Sequence, residues 1–311
     1  MRHPCLTLII GVVMIYRHNA MKSSRSFCLQ VAFMLSALLL SACQGQPAPV
    51  LRLATTTSTY DSGLLQAILP AFEQQNGVRV DVVAVGTGQA IAMGEGGDAD
   101  VLLVHDQAKE EAFVAAGHGL DRYPLMYNDF VLVGPSADPA GVSELQLASE
   151  ALARIASEDA MFVSRGDDSG THGRELALWL AAGILPDPTS GWYLSIGQGM
   201  GETLQFASER NAYTLTDRGT FLALQMNLLD LVILIGGESL VQNPDPNLIN
   251  PYAVIPINPS RHPQTSGSDA MQFVEWIISM ETQLQIAEFG VDLLGQPLFF
   301  PDSVPWRSAH P

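Results

Sequence analysis

Cysteine is scarce in this chain, and the few cysteines lie near its start. Cys5, Cys28 and Cys43 are the three cysteines among the 311 residues. The chain after Cys43 therefore has no thiol, which excludes disulfides, zinc–thiolate sites and a cysteine nucleophile from that part. Any chemistry there must come from other side chains or from the backbone.

Positive charge is also scarce. Four of the 15 Lys and Arg but none of the 32 Asp and Glu precede Cys43, so eleven basic residues oppose 32 acidic ones afterwards, a net charge of −21. A surface of this sign repels nucleic acid and anionic lipid headgroups, so we expect no nucleic-acid partner. It would also repel an anionic ligand, which must then be held by local dipoles and a few arginines.

Long apolar runs are missing outside the first 43 residues. Leu6–Tyr16 is too short to span a bilayer, which needs about 20 residues. A basic segment, Met21–Arg25, precedes the apolar Val31–Leu40, and Leu40-Ser41-Ala42-Cys43 follows. This order resembles a bacterial lipoprotein signal, in which the cysteine is lipidated and becomes the mature N-terminus.

We therefore predict a lipoprotein signal segment at residues 1–43, with Met21 as the true start and Cys43 as the lipid anchor. A plain secretory peptide is the alternative. Residues 44–50, rich in Gln, Gly and Pro, are predicted to be a flexible tether. The expected location is the periplasm or the outer face of a bacterial membrane.

Short β-branched runs alternate with helical patterns through the rest of the chain, which favours an α/β fold with mainly parallel sheets covered by helices. Strands are predicted at Leu51–Thr55, Arg79–Val85, Val101–Val104, Tyr127–Gly134, Met161–Ser164, Tyr213–Leu215, Leu231–Ile235 and Tyr252–Ile257. Helices are predicted at Ser62–Gln75, Thr87–Met93, Gln107–Ala116, Val142–Ser157, Thr171–Ala182, Gly201–Glu209, Arg218–Met226, Gly267–Met280 and Thr282–Phe289.

Two α/β units fit this pattern, with no internal repeat. We predict one lobe at 51–130 plus 252–311 and a second at 131–251. In open α/β sheets a ligand binds outside the carboxyl ends of the strands. With two lobes, the predicted ligand site is the cleft between them, closed by a hinge motion.

Three loops at predicted strand ends have the composition of an oxyanion site. The first, Thr55–Thr59, has five consecutive hydroxyl side chains, and the second is Gly86-Thr87-Gly88-Gln89. The third, Arg165–Thr171, combines a guanidinium with hydroxyls before a helix. Glycines let backbone N–H groups approach a ligand, and free N–H groups at a helix start favour negative charge. Each loop alone is also compatible with a capped helix or a solvated turn, but three together predict an oxyanion cleft.

The residues of these loops also carry a family resemblance. Thr56-Thr57-Ser58-Thr59-Tyr60-Asp61-Ser62-Gly63-Leu64, Val85-Gly86-Thr87-Gly88-Gln89-Ala90 and Ser164-Arg165-Gly166-Asp167-Asp168-Ser169-Gly170-Thr171-His172 resemble the tungstate-binding proteins of bacterial ABC importers, the TupA family. The resemblance runs over most of residues 50–300. It implies a two-lobed, type II periplasmic-binding-protein fold and delivery of tungstate to an ABC-transporter permease.

The resemblance identifies the fold more specifically than it identifies the ligand. The Arg-x-Asp-x-Ser-Gly-Thr spacing is also similar to phosphate-binding proteins of the same fold, and the sequence does not separate tungstate from molybdate. Molybdate and phosphate therefore stay open as alternatives. No cofactor and no metal are expected, and the protein is predicted to be a monomer.

Roles for individual residues follow from their chemistry. Arg165 should supply the positive charge through charge-assisted hydrogen bonds, and Asp167 should orient its guanidinium. The predicted ligand-binding residues are Thr56, Thr57, Ser58, Gly86, Thr87, Gly88, Arg165, Ser169, Gly170, Thr171 and Thr216. The segment Thr216-Asp217-Arg218, which opens another helix, is a candidate fourth contact, and a helix cap with a surface arginine is the favoured alternative.

Carboxylates bear on the choice of anion. The first two loops contain no Asp or Glu, and Asp167 and Asp168 are the nearby carboxylates that the sequence places. Phosphate keeps a proton at neutral pH and gains from a carboxylate acceptor, whereas fully deprotonated tungstate is repelled by one. The sequence therefore predicts a donor-only cleft that prefers tungstate and molybdate.

Two other classes of protein compete with a solute-binding protein. An enzyme would use His105, Asp106, His172 and Glu175, but their spacing places no third metal ligand, and we expect them to be surface and capping residues. The Gly-x-Ser-x-Gly nucleophile pattern is missing around Ser169. An adhesion lipoprotein, the other rival, would not need three anion loops.

Overall fold

The computed structural model describes residues 48–311. The predicted signal segment, Cys43 and most of the tether lie outside this range. Val50, predicted as the last tether residue, already belongs to the first strand. In the part of the chain that is described, no helix is long and apolar enough to cross a membrane.

Ten strands form the sheets of the molecule. They are β1 (Val50–Thr56), β2 (Arg79–Val85), β3 (Val101–Val104), β4 (Tyr123–Pro135), β5 (Phe162–Ser164), β6 (Tyr193–Ser195), β7 (Thr214–Asp217), β8 (Leu231–Ile235), β9 (Ile249–Pro256) and β10 (Phe300–Pro301).

Twelve α-helices are described together with three short 3₁₀ turns. The helices are α1 (Thr57–Asp61), α2 (Leu64–Asn76), α3 (Thr87–Gly96), α4 (Gln107–Ala115), α5 (Ala148–Ser157), α6 (Gly170–Ala181), α7 (Met200–Arg210), α8 (Arg218–Leu224), α9 (Gly267–Ile277), α10 (Met280–Glu288), α11 (Val291–Leu294) and α12 (Val304–Ala309). The 3₁₀ turns are Gln225–Asn227, Leu240–Gln242 and Pro246–Leu248.

The larger sheet has parallel strands at one end and antiparallel pairs around its two long strands, β4 and β9. Its order is β10-β4-β9-β3-β1-β2, and β7 and β8 also pair with β4. The pairs β1–β2 and β1–β3 are parallel, as is β5–β6 in the small second sheet. β4 and β9 are antiparallel to their neighbours. The predicted parallel arrangement therefore holds for the strands that precede the candidate loops.

The buried apolar side chains form four clusters. Two of them draw on residues between Leu51 and Met126 and between Tyr252 and Phe299. The other two draw on residues between Phe130 and Leu248. β4 contributes to both groups, because its first half pairs with β9 and its second half with β7 and β8. The molecule is a two-lobed α/β protein, while the exact lobe boundaries stay a prediction.

Local patterns explain most elements. β3 is buried along its whole length, which matches its uninterrupted Val-Leu-Leu-Val run. In α5 the buried residues are Ala148, Ala151, Leu152 and Ile155, the spacing of one helix face. Sequence patterns of these two kinds therefore predict that both elements exist, although they place the start of α5 too early.

One predicted helix is too long. The helix predicted at Val142–Ser157 begins only at Ala148. The Oδ2 of Asp138 accepts from the Ser143 N–H, and the Oδ2 of Asp245 accepts from the Ala148 N–H at 2.7 Å. These carboxylates bind the backbone in a turn before the helix, so residues 142–147 do not continue it.

Candidate oxyanion site

The first two candidate loops leave the sheet side by side. The parallel register pairs Thr56 of β1 with Val85 of β2, so the residues that follow both strands emerge at one edge. Thr55 is likewise paired with Leu103 of β3, which places His105 at the same edge. The carboxyl ends of three parallel strands thus supply three neighbouring polar segments, as expected for an α/β ligand site.

The five hydroxyls of the first loop have different partners. Thr55 Oγ1 donates to the Leu103 carbonyl at 2.8 Å. Thr56 caps α1, accepting from the Thr59 N–H, and its Oγ1 lies 2.6 Å from Thr59 Oγ1 and 3.2 Å from His105 Nε2. Ser58 Oγ lies 3.3 Å from Thr56 Oγ1, and both Thr57 and Ser58 line a cavity. Thr57 and Ser58 are therefore the hydroxyl residues of this loop that reach the cavity.

The second loop begins α3. Gly86 is the N-cap, no side chain caps the first turn, and Gly88 is exposed. The Thr87 side chain is fully buried, and its Oγ1 has no hydrogen-bond partner among the described residues. A buried hydroxyl without a partner costs about 1–3 kcal/mol, so this donor is suited to an external acceptor.

The third loop positions Arg165 directly after β5. The guanidinium is buried, and its Nη2 donates to Asp167 Oδ2 at 2.6 Å, the pairing that the sequence suggested. Nη1 lies 3.5 Å from Thr171 Oγ1, and within the described range Nε has no partner. Arg165 therefore keeps a buried donor available after Asp167 has oriented the fork.

The start of α6 completes this loop. Ser169 is the N-cap and accepts from the His172 N–H, and Thr171 is buried. Gly170 packs closely against the other loops. A Cβ at this position would lie 2.6 Å from the ring of His105 and 3.3 Å from Thr87 Oγ1. The structure thus brings the second and third loops into contact, and only glycine allows the approach.

A cavity of about 450 Å³ lies where these segments meet. From the predicted loops it is lined by Thr57, Ser58 and Arg165. Gly86, Thr87, Gly88, Ser169, Gly170 and Thr171 are not among its lining residues. The cavity therefore joins the first and third loops, while Thr87 of the second loop contacts the third loop at Gly170.

Sequence reasoning missed part of the lining. The segment Gly199–Glu202 at the start of α7 lines the cavity, together with Gly219 and Thr220 of α8. The Gln198 N–H donates to the Arg165 carbonyl at 3.2 Å, which holds the α7 start beside Arg165. Gly197-x-Gly199-x-Gly201 before a helix was the available signal, since it has the composition of the other loops.

The candidate fourth contact is a helix cap, the alternative that the sequence favoured, because Asp217 caps α8 and accepts from the Thr220 N–H. Thr216 is buried, and its Oγ1 donates to the Asp217 carbonyl at 3.1 Å. Arg218 was predicted to be a surface arginine, and this is wrong. It is buried in an ion pair with Asp129, at 2.7 Å from Nη2 to Oδ2, and donates to the carbonyls of Gly236 and Gly237. Its charge is therefore neutralised within the protein, away from the cavity lining.

The carboxylates near the cavity were also incompletely predicted. Asp61 and Glu202, both exposed, line the cavity, whereas the Asp168 side chain is fully solvent-exposed. Burial, followed by the charge of Glu202, raises the pKa of Asp61. Asp217 lies near Arg165 but accepts from the Thr220 N–H and Oγ1. The cavity is therefore not the donor-only cleft that the sequence predicted: two exposed carboxylates line it beside Arg165, whose buried Nε is a donor without a partner among the described residues.

The residues that an enzyme would use do not all lie on the surface. His105 and Glu175 are buried, contrary to expectation, while Asp106 caps α4. Burial raises the pKa of Glu175 to about 7, and its Oε1 accepts from Trp179 Nε1 and the Tyr193 hydroxyl. Among residues 48–311 no group of three or more His, Cys, Asp or Glu is arranged to hold a metal ion.

Known proteins resemble this chain over most of its length. A family model described as a PBP superfamily domain matches residues 44–281. The tungstate-binding protein TupA of Peptoclostridium acidaminophilum is 45% identical, over 90% of this chain and 99% of that protein. The solved TupA from Desulfovibrio alaskensis G20 is 46% identical with a TM-score of 0.71, over 82% of this chain and 100% of that one. The tungstate ABC transporter structure from Geobacter sulfurreducens is 48% identical with a TM-score of 0.68, over 77% and 98%. With this level of identity over nearly the full length of its relatives, and with the two-lobed fold, the chain belongs to the TupA family of the periplasmic-binding-protein superfamily.

Proposed function

We propose that this protein captures tungstate as a tetrahedral oxyanion in the Arg165 cavity and delivers it to the permease of an ABC importer. The observation that carries the proposal is Arg165 Nε, a buried donor of a cavity-lining residue that has no partner among the described residues. An oxyanion in the cavity would satisfy it, and buried polar groups are rarely left unpaired. The names of the relatives, which are tungstate-binding proteins, point to the same ligand.

Backbone dipoles add to these side chains. The first turn of α7 lines the cavity, and the first turns of α3 and α6 contact each other at Thr87 and Gly170. The helices α3, α6 and α7 have 10, 12 and 11 residues. Each start has partial positive charge from free N–H groups. Gly86 and Gly199, the N-caps of α3 and α7, provide no capping side chain that would compete with an anion. This local field opposes the repulsion expected from the net charge of −21 between Cys43 and the last residue.

The Arg165 donor also supports tungstate over phosphate. Arg165 Nε would donate to any oxyanion, but a protonated phosphate also needs an acceptor. Asp61 and Glu202 are exposed, and Asp217 already accepts from Thr220, so no buried free carboxylate is placed beside Arg165. A fully deprotonated anion satisfies this donor set without an acceptor, so tungstate and molybdate fit it better than phosphate.

The relatives of this chain and its N-terminal signal pattern also support a role in transport rather than in catalysis. The relatives are substrate-binding proteins of transporters, and we infer that this protein is likewise not an enzyme but a partner of a membrane permease. The segment Leu40-Ser41-Ala42-Cys43, which resembles a lipoprotein signal, supports a lipid anchor on an extracytoplasmic membrane surface. Loss of lipid labelling in Cys43→Ala would support this anchor, and a wild-type protein without lipid would exclude it.

Competition calorimetry at neutral pH tests the ligand. We expect tungstate to bind at least as tightly as molybdate, and both far more tightly than phosphate or sulfate. Phosphate that binds as tightly as tungstate would mean that a carboxylate such as Asp61 faces the anion, and would favour a phosphate-binding function instead. Absence of binding by all four anions would reject the oxyanion site itself.

A further inference from the structure

His105 is a buried histidine with a partner on every polar atom. It follows β3 and is 6% exposed. Its Nδ1 lies 3.0 Å from Asn250 Oδ1, and its Nε2 lies 3.2 Å from Thr56 Oγ1. The ring stacks on Tyr252 at a centroid distance of 4.7 Å. The side chain therefore links β9 to the hydroxyl-rich loop after β1.

The hydrogen-bond network defines which ring nitrogen carries the proton. Asn250 Nδ2 donates to Asn128 Oδ1 at 2.7 Å and to the Tyr252 hydroxyl at 3.2 Å, so the Oδ1 of Asn250 is the acceptor toward His105. His105 Nδ1 therefore donates, and a neutral ring has a free lone pair on Nε2. That lone pair accepts the Thr56 hydroxyl proton.

Charge and burial keep the ring neutral. Burial lowers the pKa of His105 to about 4, against the Asn250 hydrogen bond, which raises it. Of the charged groups around the ring, Asp106 raises this pKa, while Arg165 and Arg174 from the second lobe lower it. At the pH of the periplasm the imidazole is consequently an acceptor toward Thr56.

The direction of the Thr56–His105 hydrogen bond determines the directions of the other hydroxyl hydrogen bonds in this loop. Since Thr56 donates to His105, its oxygen accepts from Thr59 Oγ1 at 2.6 Å and from the Thr59 N–H at 3.3 Å. Thr55 is already bonded to the Leu103 carbonyl. Thr56 Oγ1 also lies 3.3 Å from Ser58 Oγ, so the Thr56 oxygen is an acceptor toward Ser58 as well. The protons of Thr55, Thr56 and Thr59 are therefore directed into the protein, while Thr57 and Ser58 line the cavity.

The same ring contacts the opposite loop. Gly170, at the start of α6, lies so close to His105 that a Cβ there would be 2.6 Å from ring Cε1 and 3.1 Å from Nδ1. A flat ring at position 105 and a glycine at position 170 together allow this approach. His105 thus contacts both the first and the third anion loop.

We propose that His105 is a positioning residue of the oxyanion site: it accepts the Thr56 hydroxyl proton, so that the Thr56 oxygen accepts from Ser58 and Thr59 and orders the loop that brings Thr57 and Ser58 to the cavity, and it supports the start of α6 through Gly170. The proposal rests on the proposed oxyanion function of the same cavity. His105 does not line that cavity and acts through its neighbours.

Two substitutions separate the hydrogen bond from the shape of the ring. His105→Phe keeps a flat ring but leaves the Thr56 hydroxyl and the Asn250 carbonyl without partners, so we expect tungstate binding to weaken about tenfold or more. His105→Gln restores an acceptor for Thr56 and should recover part of this loss. The matched control is His118→Phe, since His118 also stacks on an aromatic ring, Phe113, but does not line the cavity.

A spectroscopic measurement tests the same network without ligand. Long-range ¹H–¹⁵N correlation on the wild-type protein, with the His105 signal identified by its loss in His105→Gln, should show a neutral ring protonated on Nδ1 from pH 6 to 8. A proton on Nε2, or a His105→Phe variant that binds tungstate like the wild type, would overturn the proposal. Wild-type protein that binds no oxyanion would instead reject the proposed function, while the tautomer would still decide the His105 network. If His105→Phe does not fold, the wild-type tautomer and the His105→Gln titration decide.

Discussion

At the scale of single residues, Arg165 has the largest predicted effect on ligand binding. Its guanidinium is buried, oriented by Asp167 at 2.6 Å, and retains an unpartnered Nε among the described atoms. Arg165→Ala would leave a buried divalent anion and Asp167 without their counter-charge. Removing one member of a buried charge pair costs about 3–5 kcal/mol, roughly a hundredfold or more in Kd.

Calorimetric titration with tungstate measures this loss. Arg165→Lys should recover only part of the affinity, because an ammonium lacks the planar fork that bonds Asp167 and the ligand together. Arg210→Ala is a suitable control, since Arg210 is an exposed arginine at the end of α7, over the ring of Phe206. Equal tungstate affinities for Arg165→Ala and the wild type would remove Arg165 from the site.

The sequence predicts some site residues well and others poorly, for a physical reason. Thr57, Ser58 and Arg165 lie at strand ends, where composition and position together indicate a ligand, and all three line the cavity. The hydroxyl of Thr56 is bonded to His105, 49 residues away in the sequence. Local pattern carries no information about such a partner, so this internal hydrogen bond was not predictable.

At the scale of secondary-structure elements, α6 combines an anion-facing start with a buried carboxyl one turn later. Burial raises the pKa of Glu175 from the ordinary 4.5 to about 7. A carboxyl with a raised folded-state pKa stabilises the fold fully below the unfolded pKa, and this stability is lost as pH rises through the folded pKa. The loss for Glu175 between about pH 4.5 and 7 is of order 3 kcal/mol.

Glu175→Gln should remove this pH dependence. The amide oxygen can still accept from Trp179 Nε1 and the Tyr193 hydroxyl, which both bond Oε1 in the wild type. Urea unfolding at several pH values from 5 to 8 should show the variant gaining stability relative to the wild type as pH rises. Glu209→Gln, at an exposed position of α7, is the control. A difference between Glu175→Gln and wild type that stays constant over this range would contradict the raised pKa.

Some secondary-structure elements follow from sequence patterns, whereas others depend on tertiary contacts. The β1, β2, β3 and β8 strands follow from their apolar runs. The short helix α1 was not predicted, because Ser and Thr favour caps and turns over helix interiors. It forms where Thr56 caps its first turn. The strand β6 was also missed, since it pairs with only one strand, β5, over three residues.

At the scale of the whole molecule, the acidic surface opposes the short-range attraction of Arg165. Eleven basic residues oppose 32 acidic ones from Cys43 onward, and the cavity is lined by Arg165 and the first turns of α7 and α8 together with the exposed Asp61 and Glu202. The long-range field therefore repels tungstate during approach, and the attraction acts only at short range. Exposed charges are screened by salt over a Debye length of about 10 Å at 0.1 M, while buried groups are screened much less.

Salt should therefore accelerate capture. We expect the association rate constant for tungstate to rise severalfold between roughly 10 mM and 300 mM of a chloride salt, because screening weakens repulsion by distant carboxylates. The dissociation rate should change little, since the buried contacts of Arg165 and Thr87 are protected from solvent. Stopped-flow tryptophan fluorescence measures both rates.

The matched variant is Asp61→Asn with Glu202→Gln, which removes the two exposed carboxylates of the cavity lining. This variant should associate faster at low salt and respond less to added salt. An association rate that falls with salt would show instead that local positive charge already dominates the approach path, and that the acidic surface has no influence on capture.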